Sequence, residues 1–145
     1  MTVRHVSPTI IDALKLPNLV RLGTNLYGAA FFLMKLLPAH FILENARDAV
    51  LPGGGAITVV TNFEPNGTKG SNKVYLEISD TGPGIAHDTQ RKIFEPFFTT
   101  KPKGTGLGLA LAKKFVEAND GTVRSGNGTH GGALFRLTFP TSHPA

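Results

Sequence analysis

Asp80 closes the alternating stretch Val74-Tyr75-Leu76-Glu77-Ile78-Ser79 and is followed at once by Thr81-Gly82-Pro83-Gly84-Ile85. A period of two sets Val74, Leu76 and Ile78 on one strand face, so the carboxylate falls at a strand end, where pockets commonly open. A carboxylate at the base of an apolar cleft can accept from the exocyclic amine of adenine. Guanine carries an oxygen at that position, and the mismatch leaves polar groups unpaired. Gly82 and Gly84 permit close approach of a ligand, and Ile85 offers an apolar contact to a base. Alone, Asp-Thr-Gly is also ordinary turn chemistry.

Three further groups give it company. Asn45 stands in Glu44-Asn45-Ala46-Arg47-Asp48-Ala49 near the end of a helical stretch. A carboxamide oxygen is a hard, neutral ligand of the kind magnesium accepts beside waters and substrate phosphates. Asp48, nearly one turn further, shares its face and is placed to hold a water or orient a neighbour. Gly104-Thr105-Gly106-Leu107-Gly108-Leu109 opens an amphipathic segment. Helix starts carry unpaired amides and the positive dipole end, and glycines let phosphates come close. Leu107 and Leu109 pin that start to a core, and Lys101 adds positive charge nearby. These parts together describe a pocket for ATP with Mg2+.

The elements that must position them read as follows. Ile10 to Leu16 is a helical stretch of uncertain affiliation. Ala29 to Leu37 and Ala39 to Val50 are helical, divided by Pro38 and stopped by Pro52-Gly53-Gly54-Gly55. Ile57, Val59 and Thr61 form one face of a β-branched strand, with a polar turn from Asn66 to Asn72 before the strand ending at Asp80. Asp88 to Phe94 is a short helix, Pro96 through Gly106 a loop, and Gly106 to Asn119 a helix. That last helix turns Leu107, Leu111, Phe115 and Val116 inward and Lys113, Lys114 and Glu117 outward, with Gly121 as its stop. Gly121 to Ser125 and Ala133 to Phe139 form a closing hairpin around Asn127-Gly128. The expected fold is α+β: a two-layer sandwich with a mixed sheet, helices on one face and a lid over the ligand.

With Phe94-Glu95-Pro96-Phe97-Phe98-Thr99-Thr100-Lys101 added, the four motifs in this order resemble the catalytic ATP-binding domain of sensor histidine kinases, within the wider group that includes gyrase-type and Hsp90-type ATPases. The resemblance runs from about Leu43 to Pro140. It implies the Bergerat fold, Asn45 on the metal and Asp80 on adenine. It further implies a nucleotide site formed by Asn45, Asp48, Asp80, Gly82, Gly84, Ile85, Phe94, Phe98, Thr99, Thr100, Lys101, Gly104, Thr105, Gly106, Leu107, Gly108 and Leu109, under a lid from Ala86 to Thr105. The implied partners are a histidine-bearing dimerisation domain and, through it, a response regulator of a two-component phosphorelay. Three positions depart from the pattern. Asp48 stands where many relatives carry a basic residue, which is why it is expected to hold a water or orient a neighbour. Phe41 stands four residues before Asn45 where relatives commonly carry Asn or Glu, and Glu44 points about 100° away around the helix. Ala133 stands where many relatives carry a threonine that assists the aspartate.

Bulk properties set limits. The chain has 145 residues, enough for one compact domain, and is 41% apolar and 17% charged. It contains no cysteine, which excludes disulfides and thiolate metal sites and fits a reducing cytoplasm. The formal charge of +5 is scattered rather than striped, so no nucleic-acid partner is expected. The apolar run from Leu26 to Leu43 is interrupted by Lys35, Pro38 and His40, so a buried helix rather than a membrane span is expected. The N-terminus lacks the order of a signal peptide.

His5 lacks the acidic neighbour and helical context of a phosphoacceptor, and none of His40, His87, His130 and His143 has it either, so the acceptor is expected on another polypeptide or a missing portion of this one. The division expected is residues 1–40 as a segment of separate character, 41–140 as the ATP-binding domain and 141–145 as a tail. Three readings of function follow: a histidine kinase catalytic domain, a stand-alone serine kinase of the same superfamily, and a degenerate nucleotide-binding module. A gyrase- or Hsp90-type ATPase is disfavoured because its transducer segments are absent.

Overall fold

The structure is a computed structural model that describes residues 26–64, 72–129 and 131–140. The expected helix at Ile10–Leu16, most of the turn after Glu64, His5, His130, His143 and the tail lie outside the described residues. The elements are α1 (Leu26–Val50), β1 (Ile57–Glu64), β2 (Lys73–Asp80), α2 (Gly108–Glu117), β3 (Thr122–Asn127) and β4 (Ala133–Pro140).

The four strands form one sheet in the order β1-β2-β4-β3. Among the described residues every neighbouring pair is antiparallel, where a mixed sheet was expected. The reason is topological. The chain crosses from β2 through α2 to β3, so β3 runs parallel to β2, but the hairpin return places β4 between them and removes the parallel pairing.

Register follows the alternation. Ile78 stands opposite Val59 on one side and Phe135 on the other, and Leu137 opposite Leu76 and Val123. These side chains share the sheet face that α1 and α2 cover, where Ile42, Ile78, Val116 and Leu137 are wholly buried or nearly so. On α1, Ala39, Ile42 and Ala46 recur at helical spacing and face this core. Phe41, Asn45 and Asp48 form the adjacent stripe, which is how one helix serves core and pocket at once.

Two details depart from expectation. Pro38 lies inside α1, which continues through it from Leu26 to Val50. The proline forgoes one i→i−4 bond, but its side chain is fully buried, and that packing offsets the loss. On α2 the buried residues are Ala110, Ala112 and Val116, while Leu111 is 38% exposed. Small alanines let α2 settle closely on α1 and the sheet, leaving Leu111 at the edge of the cleft. The end of α2 is a Schellman-type stop: Gly121 N–H donates to Val116 C=O at 2.9 Å and Asp120 N–H to Glu117 C=O at 3.0 Å. Asp120, not Gly121, takes the left-handed conformation there (φ 55°).

The other sheet face is open and polar. Arg136 Nη2 donates to both carboxylate oxygens of Glu77, at 3.1 and 3.0 Å, and its guanidinium lies 4.7 Å from the Tyr75 ring centre. The Glu77 carboxylate beside it holds the Arg136 pKa above its ordinary value. Such a partly solvated pair contributes little, so Glu77→Gln should lower stability by about 1 kcal/mol or less, read as a small shift of the urea midpoint.

No helix among the described residues is long and apolar enough to cross a membrane.

Candidate nucleotide site

A cleft of about 860 Å³ opens between α1, the Gly84–Thr105 segment and the start of α2. Its walls include Phe41, Glu44, Asn45 and Asp48 from α1, and Gly84 and Ile85 from the loop after β2. Phe98, Thr99, Thr100, Lys101, Gly104, Thr105, Gly106, Leu107, Gly108 and Leu109 also line it. Three expected residues, Asp80, Gly82 and Phe94, are not among these walls.

Asp80 lies deeper, at 7% exposure. The strand period places it on the helix-covered face with Ile78, at the end of β2 opposite Ile57. Its Oδ1 accepts from Gly82 N–H at 2.8 Å and Ala133 N–H at 3.2 Å. Oδ2 accepts no hydrogen bond among the described residues. Gly82 therefore acts through its amide on Asp80, and Ala133 contributes a backbone donor although its side chain has none to offer. Phe94 meets Phe135 edge to face, ring centres 6.3 Å apart, against the core cluster. A bulky apolar ring gains more from that interior than from a wet cleft.

Gly132 was not singled out by sequence reasoning, yet it is packed as tightly as any position in the site. A β-carbon there would run into the Asp80 carbonyl oxygen and come within 2.8 Å of Asp80 Oδ1. The hairpin turn is thus pressed directly onto Asp80. A glycine pair before the last strand, Gly131-Gly132, is the only hint the sequence carries.

The segment after Ile85 divides in two. Residues 87–94 form successive turns rather than the expected helix, with Thr89 and Gln90 N–H both donating to Ala86 C=O and Ile93 N–H to Thr89 C=O. Ile93 and Phe94 pack this part against the core. The free loop is shorter, from Phe98 to Thr105, and is pinched at its neck by Phe97 N–H donating to Gly106 C=O at 2.9 Å. Both neck residues are left-handed, Phe97 at φ 67° and Gly106 at φ 68°. A side chain at Gly106 would strike the Phe97 carbonyl group, so the neck requires glycine. Phe97 itself is 75% exposed.

Across the cleft, Lys101 Nζ donates to Asn45 Oδ1 at 2.8 Å and pairs with Asp48 Oδ2 at 2.7 Å. The hydrogen bond from Lys101 holds the Asp48 carboxyl below the usual aspartate range, against a smaller opposing effect of desolvation. Because the folded pKa is depressed, this contact is fully present above the ordinary aspartate pKa and is lost as pH falls through the lowered value. Lys101→Ala should release the loop tip, seen as faster proteolysis between Phe98 and Thr105 at neutral pH in the absence of nucleotide. The same acceleration should appear in the unaltered chain on acidification, assayed with an acid-active protease.

α2 begins without a side-chain cap: Leu107 occupies the N-cap position and its side chain makes no capping bond. The first N–H groups of the helix therefore lack both intrahelical and capping acceptors, and Gly108 and Leu109 face the cleft. The Phe41 ring packs toward Gly108, where an added β-carbon would lie 3.3 Å from its Cδ1. Glu44 reaches the cleft margin after all, next to His40 at 3.7 Å and Arg47 at 4.0 Å. His40 is a surface residue of α1.

The donor set suits a hard cation. Asn45 Oδ1 and Asp48 Oδ2 converge on one point, where the Lys101 ammonium already sits. No group of three or more His, Cys, Asp or Glu that could hold a metal ion occurs among the described residues.

An antiparallel sheet under two helices, with an uncapped helix start facing an Asn–Asp stripe and a buried carboxylate beneath, defines a nucleotide-binding α+β domain. Residues 41–143 match the model of the histidine kinase-, DNA gyrase B- and HSP90-like ATPases, and the chain belongs to that family. It is similar to the sensor protein kinase PilS of Pseudomonas aeruginosa, 48% identical over 69 residues that make up 48% of this chain and 13% of that protein. It is also similar in structure to the mycobacterial sensor histidine kinase MprB, with TM-score 0.59 and 30% identity over 72% of this chain and 68% of that one. A third likeness is to full-length ShkA solved in complex with AMPPNP, with TM-score 0.58 and 31% identity over 74% of this chain and 21% of that one. The chain thus spans only a small part of the length of PilS. PilS and MprB bear the names of sensor kinases, and nothing in the likenesses favours a serine kinase or a degenerate module.

Proposed function

We propose that this chain is the ATP-binding catalytic domain of a cytoplasmic two-component sensor histidine kinase. It presents the γ-phosphate of ATP to a histidine on a dimerisation domain, from which a response regulator is served. The observation that carries this reading is the convergence of Asn45, Asp48 and Lys101 opposite the uncapped start of α2, with Asp80 buried below. ShkA, a structural relative, is described with AMPPNP bound, which supports ATP as the ligand here.

In this reading Asp80 Oδ2 accepts from the adenine amine while Oδ1 stays held by Gly82 and Ala133, so the acceptor is fixed before the base arrives. Ile85 lies against the base. The amides at Gly108 and Leu109 donate to the polyphosphate, and Lys101 moves from Asn45 to phosphate oxygens. Asn45 Oδ1, freed by that move, would hold Mg2+, and Asp48 beside it would hold a water or orient Asn45. The metal, when bound, screens charge on the β- and γ-phosphates. The imidazole nitrogen of the acceptor forms the N–P bond, the bond from γ-phosphorus to the bridging oxygen breaks, ADP leaves, and the imidazole proton passes to a base outside this chain. The test is transfer of labelled γ-phosphate to a supplied histidine-bearing dimerisation domain from a relative. Acid-labile, alkali-stable label on that domain supports the reading; ATP binding with no transfer to any acceptor tried would count for a binding module.

A further inference from the structure

Asn127 ends β3, 42 residues along the chain from Ile85, yet its carboxamide is committed to that one residue. Its Oδ1 accepts from Ile85 N–H at 2.7 Å and its Nδ2 donates to Ile85 C=O at 3.0 Å. Both polar backbone groups of Ile85 are thereby satisfied by a single side chain, in the manner of a hydrogen-bonded pair in an antiparallel ladder. The two bonds also fix the amide orientation, since a flipped amide would set donor against donor and acceptor against acceptor. Gly84 brings the chain to this contact in a left-handed turn (φ 77°), and a β-carbon there would lie 2.8 Å from Asn127 Oδ1.

Asn127 does not line the cleft, whereas Ile85 does and also packs on the core. We propose that Asn127 is a positioning residue for nucleotide recognition: it fixes Ile85, and with it the spacing between the apolar wall and the Asp80 carboxylate across which the base is held. The inference rests on the nucleotide reading above. Gly132 pressed on Asp80 and Asn127 clamped on Ile85 make the β3–β4 turn a common ruler for both sides of the base site.

Asn127 is exposed, and water replaces exposed hydrogen bonds readily, so its loss should scarcely alter global stability while loosening one loop. The experiment is a double-mutant cycle on ATP affinity with Asn127→Ala, Ile85→Ala and the pair, alongside thermal unfolding and amide exchange at Ile85 and Leu137. Asn127→Ala should weaken ATP binding about tenfold, a loss of the size expected for a pair of hydrogen bonds. It should speed exchange at Ile85, leave exchange at Leu137 and the thermal midpoint unchanged, and cost nothing further once Ile85 is alanine. Asn127→Asp, of the same size, should behave alike because a carboxylate oxygen then faces the Ile85 carbonyl. Native ATP affinity in Asn127→Ala, strictly additive losses in the cycle, or a lowered midpoint with faster exchange at Leu137 would each overturn the proposal. Failure of the unaltered, folded chain to bind ATP would instead overturn the nucleotide reading itself, and this inference with it.

Discussion

Asp80→Asn should lower ATP affinity on the order of 100-fold, equivalent to about 2.7 kcal/mol, while leaving the fold intact. Asparagine keeps one carbonyl oxygen, and the Gly82 and Ala133 amides at 2.8 and 3.2 Å will claim it. The amide nitrogen is then forced to the outer position, where it presents hydrogens to an adenine amine that also presents hydrogens. An acceptor–donor pair becomes a donor–donor clash in a site with 7% exposure, where water cannot relieve it. The same variant should lose its preference for ATP over GTP, because guanine offers an oxygen to the new donor. Competition binding with the two nucleotides measures both effects, and circular dichroism checks the fold.

Gly132→Ala should act on stability and binding together. The β-carbon would meet the Asp80 carbonyl oxygen, a backbone atom that no rotamer change can move aside. Relief requires the β3–β4 turn to lift from the end of β2, breaking the Ala133 N–H bond to Asp80 at 3.2 Å and disturbing register beside Ser79 and Leu134. Overpacking against backbone belongs at the upper end of such costs, about 3 kcal/mol or more. Urea unfolding should show that loss, and whatever folds should bind ATP more weakly. An alanine variant of native stability would mean that the turn is not pressed onto Asp80.

These two residues also mark what the sequence made legible. Asp80 could be found because strand periodicity is local: six alternating residues and a Gly-rich follow-on were enough to place a carboxylate at a strand end. Asn45, Asp48 and the start of α2 were legible for the same reason, as helical spacing and helix-start chemistry are read within one or two turns. Gly132 and Asn127 could not be found that way, since their roles depend on tertiary contacts 42 and more residues distant. The misread details have local preference overridden by packing in common. Pro38 continues a helix because the core buries its ring, Ala112 rather than Leu111 faces inward because two helices need to approach, and Phe94 packs on Phe135 rather than lining the cleft. The sheet's uniform antiparallel pairing depended on where β4 inserts, which no single segment encodes.

Phe41, where relatives commonly carry Asn or Glu, is itself part of the cleft wall. Its ring supports the start of α2 at Gly108, so the position contributes packing where a polar group could have oriented water.

ATP is expected to occupy the cleft between α1 and α2. The most direct test is calorimetric titration of the full chain with ATP and magnesium. One saturable site, abolished or strongly weakened by Asp80→Asn and by Asn45→Ala without magnesium-independent unfolding, is the predicted result. A folded chain that takes up no ATP, or binds it equally well after both substitutions, would contradict the account.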